Sequence, residues 1–313
     1  MFAGIKNGAE LTKGTIRAFG KHPQLIFPLL GCWLIYAPSI VYSKFFFPWG
    51  ECTLPQQFLF AFFHIFLFSF VLSFSCLILL EIIRQIETTE DLDLWAATAV
   101  ATKTIFKALP VVFLWAILWF LISLIEAILS REGSDDDDDL EFTPENVATE
   151  LGGGFEGFSI SRAFFEALRK GVRMIVFLIY PALSWEKASA GKAIKKGLGI
   201  AKLHKVEFAT GFLLTKLAGI IVFLPPFLLF LWARFTEFPD WVWFVAILYI
   251  GLAWSFSMLL EQLFAAELYL WHLLWKKDCA EALTKGLDEP KFSDTNRPSI
   301  LNDIPELRNV IKE

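Results

Sequence analysis

Charged side chains inside apolar runs are the residues of this sequence with the most unusual chemistry available to them. Lys216 stands about ten residues into the apolar stretch 208–233, ~15 Å deep if that stretch is helical. An ammonium in hydrocarbon costs roughly 2.5–3.5 kcal/mol on insertion scales, so it needs a counter-charge or a polar cavity. Glu261 and Glu81 are the acids expected to supply the charge, and His64, a third of the way down another apolar run, completes a candidate intramembrane polar site. Two roles stay open for Lys216: a fold-specifying ion pair, or a binding group for an anion. For Glu81, Arg84, Glu261 and Glu267 the alternative is an interfacial position within reach of headgroups and water.

A second set is the basic stripe Arg162, Arg169 and Arg173, interleaved with Glu166 and Lys170. Phe164, Leu168, Val172 and Ile175 recur at helical spacing, which gathers the charges on the other side of the helix. If these cations and Lys216 line one aqueous path, the chain is a conduit for a small anion or amphiphile. If they are paired and dry, it is a scaffold. Familiar catalytic signatures are missing: there is no P-loop, Gly-x-Ser-x-Gly or His-Glu-x-x-His motif. His22, His64, His204 and His272 are scattered, and Cys32, Cys52, Cys76 and Cys279 read as isolated thiols. The sequence therefore assigns no catalytic residue, cofactor or metal site, and no nucleic-acid partner is expected.

These residues must be positioned by membrane-crossing helices. Pro23–Ser43 runs for 21 residues without a full charge, and a helix of about 20 apolar residues spans ~30 Å of hydrocarbon. Further apolar stretches cover 56–80, 108–125, 208–233 and 241–260. With 56% hydrophobic and only 19% charged residues, against about 25% charged in soluble domains, an all-α polytopic membrane protein is the expected class. No small-residue cleavage site follows the first apolar block, so the N-terminus is expected to be retained.

Lys and Arg concentrate in 1–22, 84–107, 185–207 and 276–313, while the other loops hold Lys44, Arg131 and Arg234. The positive-inside rule then puts both termini in the cytoplasm, with six crossings. The fourth is awkward: 174–185 is too short to span and must recruit the charged 161–173 segment. A five-span or re-entrant arrangement is the alternative.

A short amphipathic helix is expected before three of the spans. Phe2, Ile5, Ala9, Thr12, Ile16 and Phe19 mark the first apolar stripe. Trp95, Thr98, Thr102, Ile105 and Leu109 mark the second, and Ala190, Ala193, Ile194, Gly197, Leu198 and Ala201 the third. Such helices lie at headgroup level with their basic face toward anionic lipid. Lys13, Arg17, Lys195 and Lys196 are the candidate headgroup contacts, and membrane lipids, anionic ones first, are the expected partners.

The domain plan is a six-span transmembrane domain over 1–275, interrupted by an acidic outer loop at 131–160, and a polar cytoplasmic tail over 276–313. The loop carries an unbroken Asp run at 135–139 without the alternation of a calcium-binding loop. It reads as a solvated segment, with neutralisation of the basic stripe as the sharper alternative. The tail is broken by Pro290, Pro298 and Pro305 and reads as mobile; 300–307 could form a short docking segment. Loop and tail are the places for a protein partner.

Tyr180-Pro181-Ala182-Leu183-Ser184-Trp185-Glu186, followed by Ala193-Ile194-Lys195-Lys196-Gly197, resembles uncharacterised prokaryotic six-helix inner-membrane families. In these a fourth span ends in Pro-x-Leu, an acid follows, and an Ala-x-Lys helix precedes the fifth span. The membrane domain of some glycerophosphodiester phosphodiesterases is similar over this stretch. The resemblance implies the fold and a bacterial inner membrane, and brings no catalytic residues with it. The acidic loop and the tail depart from that pattern.

Overall fold

The computed structural model describes residues 2–87, 92–131, 160–292 and 295. Among them the regular structure is entirely helical: α1 Phe2–Lys21, α2 Phe27–Phe45, α3 Leu54–Glu87, α4 Leu94–Arg131, α5 Ile160–Ser184, α6 Ala190–Leu203, α7 Lys205–Trp232 and α8 Asp240–Thr284. Most of the expected acidic loop and the end of the tail lie outside the described residues.

Five segments are long and apolar enough to cross a membrane: Pro23–Ser43, Leu54–Ile86, Leu94–Glu126, Lys205–Trp232 and Asp240–Thr284. The chain therefore has the make-up of a multi-pass helical membrane protein. Helix α5 is not among the five, because its first half carries the charged stripe.

Local sequence fixes the helix ends. Pro23 and Pro28 open the short 3-10 turn Pro23–Ile26 and α2 at positions where no intrahelical N–H is needed. Thr53 precedes α3, and its N–H donates to Gln56 Oε1 at 2.8 Å, one half of a capping box. Asp93 caps α4 by accepting from the Trp95 and Ala96 amides at 2.8 and 3.0 Å. Gln85 ties the end of α3 to Asp93, donating to its carbonyl at 3.2 Å and accepting from its N–H at 3.1 Å.

Helix α3 is the most buried of the five spanning candidates, packed between α2, α4 and α5, while α7 is the least buried. Helix α8 is 45 residues long, or about 68 Å, more than twice the hydrocarbon thickness. Its two halves differ accordingly. Trp241, Phe244 and Leu248 are exposed as on a lipid-facing surface, whereas residues 255–271 are almost wholly buried by protein. Glycines allow close approaches between the helices. A Cβ on Gly211 of α7 would sit 2.0 Å from Cζ of Phe264 on α8, and one on Gly197 of α6 would sit 2.6 Å from Cγ1 of Ile179 on α5.

The structure revises the three amphipathic helices. The first and third are separate, as α1 and α6. The second is not: residues 94–109 are the opening turns of α4 itself, which runs unbroken through Pro110. Ala97, Ala101, Ile105 and Ala108 form its buried stripe, and Trp95 is 85% exposed. In α1 the buried side is Asn7, Leu11, Thr12 and Thr15, facing α7 and α8, while Ile5 and Ile16 are exposed. Those two isoleucines form an apolar edge beside the exposed Lys13 and Arg17. The tail expectation changes too. Helix α8 continues to Thr284, and Phe292 packs back against the helix ends.

Candidate functional site

The charged face of α5 turns into the bundle at Arg169, Lys170 and Arg173, with Glu166 at its exposed edge. Glu166, Arg169, Lys170 and Arg173 recur at steps of three and four, so they share one side of the helix. Phe164 and Leu168 on the opposite side are exposed. This inverts the pattern of a soluble helix and suits one whose outer surround is lipid.

The centre of the face is Glu261 of α8, 3% exposed. Arg173 grips it in fork geometry, with Nε donating to Oε2 at 2.8 Å and Nη2 to Oε1 at 3.0 Å. Lys170 Nζ lies 3.2 Å from the same Oε1 and 5.1 Å from the centre of the Phe212 ring on α7. One turn further along α5, Arg169 donates to Glu126 of α4. Glu166 meets Lys216 of α7 at 3.5 Å. A single helix face thus reaches α4, α7 and α8 through charge.

Lys216 is therefore matched by Glu166, and neither sequence candidate fills that place. Glu261 is engaged by Arg173 and Lys170, and Glu81 by Arg84 of its own helix at 2.7 Å. Both acids are buried within the protein. Lys216 is also the more open partner of the cluster, with 31% of its side chain exposed against 8% for Lys170. His64 stands apart: Ser39 Oγ lies 3.2 Å from Nδ1, and the ring packs against Tyr36 and Phe60. It joins α2 to α3 as an interior histidine. Arg162 falls in the first turn of α5, and its side chain is not among those described.

Spacing predicted the shared face of α5 but not its partners on other helices. The spacing puts Glu166 and Lys170 on that face, whereas Glu126 stands in the sequence only as a charge near the end of an apolar run.

Among the proposed headgroup contacts, Lys13, Arg17 and Lys195 are exposed. Lys196 is otherwise engaged, because its Nζ lies 2.5 Å from Glu186 Oε1 and 5.2 Å from the Tyr269 ring centre. Tyr269 donates its hydroxyl to the same carboxylate. The motif around residue 180 is a set of clips of this kind. Tyr180 bonds Ser73 of α3, and Trp185 Nε1 donates to the Leu80 carbonyl at 3.1 Å.

Two histidines that looked scattered come together at the α6–α7 junction. His204 Nε2 and His272 Nδ1 are 3.0 Å apart, and both residues are buried. Burial lowers the His204 pKa to about 4. Among the described residues no group of three or more metal-ligating side chains forms.

Comparison of the chain with protein-family models, curated proteins and solved structures finds no match.

Proposed function

We propose that this chain is a non-enzymatic integral protein of a bacterial inner membrane, with six crossings and both termini cytoplasmic, acting as a scaffold or lipid-interacting component. The observation that carries the reading is the closed pairing of Glu261 with Arg173 and Lys170. Charges that satisfy one another across α5 and α8 hold helices together, and a path for solute would need them turned toward water. The α5 pair of Arg169 with Glu126 extends the same argument and favours α5 as a sixth crossing, since these charges too are compensated inside the bundle. The exposed Lys13, Arg17 and Lys195 support attraction to anionic headgroups, at about 1 kcal/mol per charge near the surface. The resemblance to six-helix inner-membrane families and to a phosphodiesterase membrane domain belongs to this proposal. So does a protein partner at the acidic loop or tail.

One observation favours the second reading, a conduit for a small anion or amphiphile. Among the described residues, Lys170, Arg173 and Lys216 are paired with two carboxylates, Glu166 and Glu261, leaving an excess positive charge. Reconstitution decides between them. In liposomes the scaffold should pass no more halide or organic anion than empty vesicles. It should favour phosphatidylglycerol over phosphatidylcholine until Lys13, Arg17 and Lys195 are neutralised. Anion flux abolished by Lys216→Met in a normally folded protein would establish the conduit instead.

A further inference from the structure

At the ends of α7 and α8 opposite the Trp232–Asp240 turn, the tail folds back over a histidine pair. Phe292 stacks on the His204 ring, with centroids 3.7 Å apart and planes 28° apart, and packs on Trp271 at 3.8 Å. Two indoles hold the backbone around it. Trp275 Nε1 donates to the Pro290 carbonyl at 2.9 Å, and Trp271 Nε1 to the Thr295 carbonyl at 3.3 Å. Beneath Phe292 lies the His204 imidazole, joined to that of His272 by a contact between ring nitrogens.

That contact requires a neutral acceptor ring: one nitrogen donates its proton and the other receives it. Protonating the acceptor sets two N–H groups against each other. The charges bearing on His272 are Lys276, a turn further along α8, and Lys196 of α6, both positive. Beside His204, Lys202 and Lys205 are exposed, and Glu207 lies a turn along α7 near Gly8 of α1. The tail's Glu289 and Asp278 of α8 act on Cys279. Among the described residues neither imidazole has a carboxylate partner. An imidazolium would gain a cation–π contact with the Phe292 ring face. That gain is small beside the cost of a buried, unpaired charge among lysines.

We infer that the His204–His272 pair is an acid-sensitive latch, which holds residues 287–292 and Thr295 on the helix ends when neutral and releases them when protonated. The inference is independent of the scaffold reading. Release would uncover Trp271 and Trp275. The sign follows from linkage. A histidine whose pKa is lower in the docked state contributes docking stability in full above its free value. That stability is lost as pH falls. With His204 at about 4 when docked and ~6.5 when free, the docked-to-released ratio falls up to tenfold per pH unit below about 6.5, or roughly 30-fold by pH 5.

The test uses the full chain in nanodiscs with Cys52 and Cys279 replaced and a nitroxide on Lys291→Cys, an exposed position beside the stack. The expected spectrum is immobile at pH 7.5, with a mobile fraction growing as the pH is lowered to 5. Phe292→Ala should be mobile at both values. The double variant His204→Asn with His272→Gln should stay immobile at pH 5. Lys276→Glu, which places a carboxylate at the pair from an exposed position, should move release to lower pH and decides the matter if the double variant does not dock. An unchanged spectrum between pH 7.5 and 5 would overturn the latch. So would undiminished acid release in a docked double variant, or a midpoint unmoved by Lys276→Glu.

Discussion

Glu261 sets the energetics of the buried charges, because it answers two cations at once. Converting it to a neutral amide leaves Arg173 and Lys170 buried without compensation. Breaking a buried pair from one side costs about 3–5 kcal/mol, while replacing the whole set by apolar groups of similar volume is often neutral. Glu261→Gln should therefore lower the thermal midpoint in detergent strongly. The triple change Glu261→Leu, Arg173→Met and Lys170→Met should recover most of the loss. A triple variant no better than the single one would mean the cluster does more than neutralise itself. Lys216 belongs to a looser pair, with 31% and 63% of the two side chains exposed. Lys216→Met should shift the midpoint little, since partly exposed pairs contribute about 0–1 kcal/mol.

Helices here meet through small residues and side-chain clips, and that is the level at which sequence became hardest to read. The face of α5 was legible from the steps between residues 164 and 175, because helical periodicity fixes which residues share a side. Periodicity carries no information on which neighbouring helix meets that side, so Glu126 and Glu166 gained their partners only in three dimensions. The expectation of a separate interfacial helix over 94–109 rests on an apolar stripe, which helical periodicity gives equally to the opening turns of a longer helix. Nothing before Pro110 breaks the chain there, and even Pro110 is absorbed within the helix. The junction at His204, by contrast, carries no glycine or proline to announce it. Glycine contacts show the same asymmetry. Gly211 resembles any other glycine in an apolar run, yet α7 lies against the fully buried Phe264 only because it has no side chain. Gly211→Ala improves helix propensity by up to about 1 kcal/mol, but the overpacking costs about 1–3 kcal/mol. We expect a net loss of thermal stability, and at Gly197→Ala a similar one, because the Ile179 backbone lies 3.3 Å from the added atom. A gain at either site would show that α7 or α6 moves off the bundle easily.

For the molecule as a whole, the side of the membrane reached by each connection depends on one helix, α5. Its length of 25 residues gives about 38 Å, enough to cross, and its charged face is compensated by α4, α7 and α8. If it crosses, the chain passes the bilayer six times, and the α5–α6 connection lies on the opposite side from the α7–α8 turn. If α5 enters and returns on the same side, every element after it is inverted. The positive-inside rule favours the first arrangement, because Lys187, Lys192, Lys195, Lys196, Lys202 and Lys205 cluster around α6. Cysteines introduced singly at Ser189 and Glu237 separate the two cases in intact cells, with Cys52 and Cys279 replaced. Six crossings predict that an impermeant maleimide labels Glu237→Cys from outside and reaches Ser189→Cys only after the membrane is opened. The reverse pattern would place α6 outside and make α5 re-entrant. It would also put the exposed lysines of α6 on the face away from the cytoplasm, removing the orientation on which the headgroup contacts of α1 and α6 jointly depend.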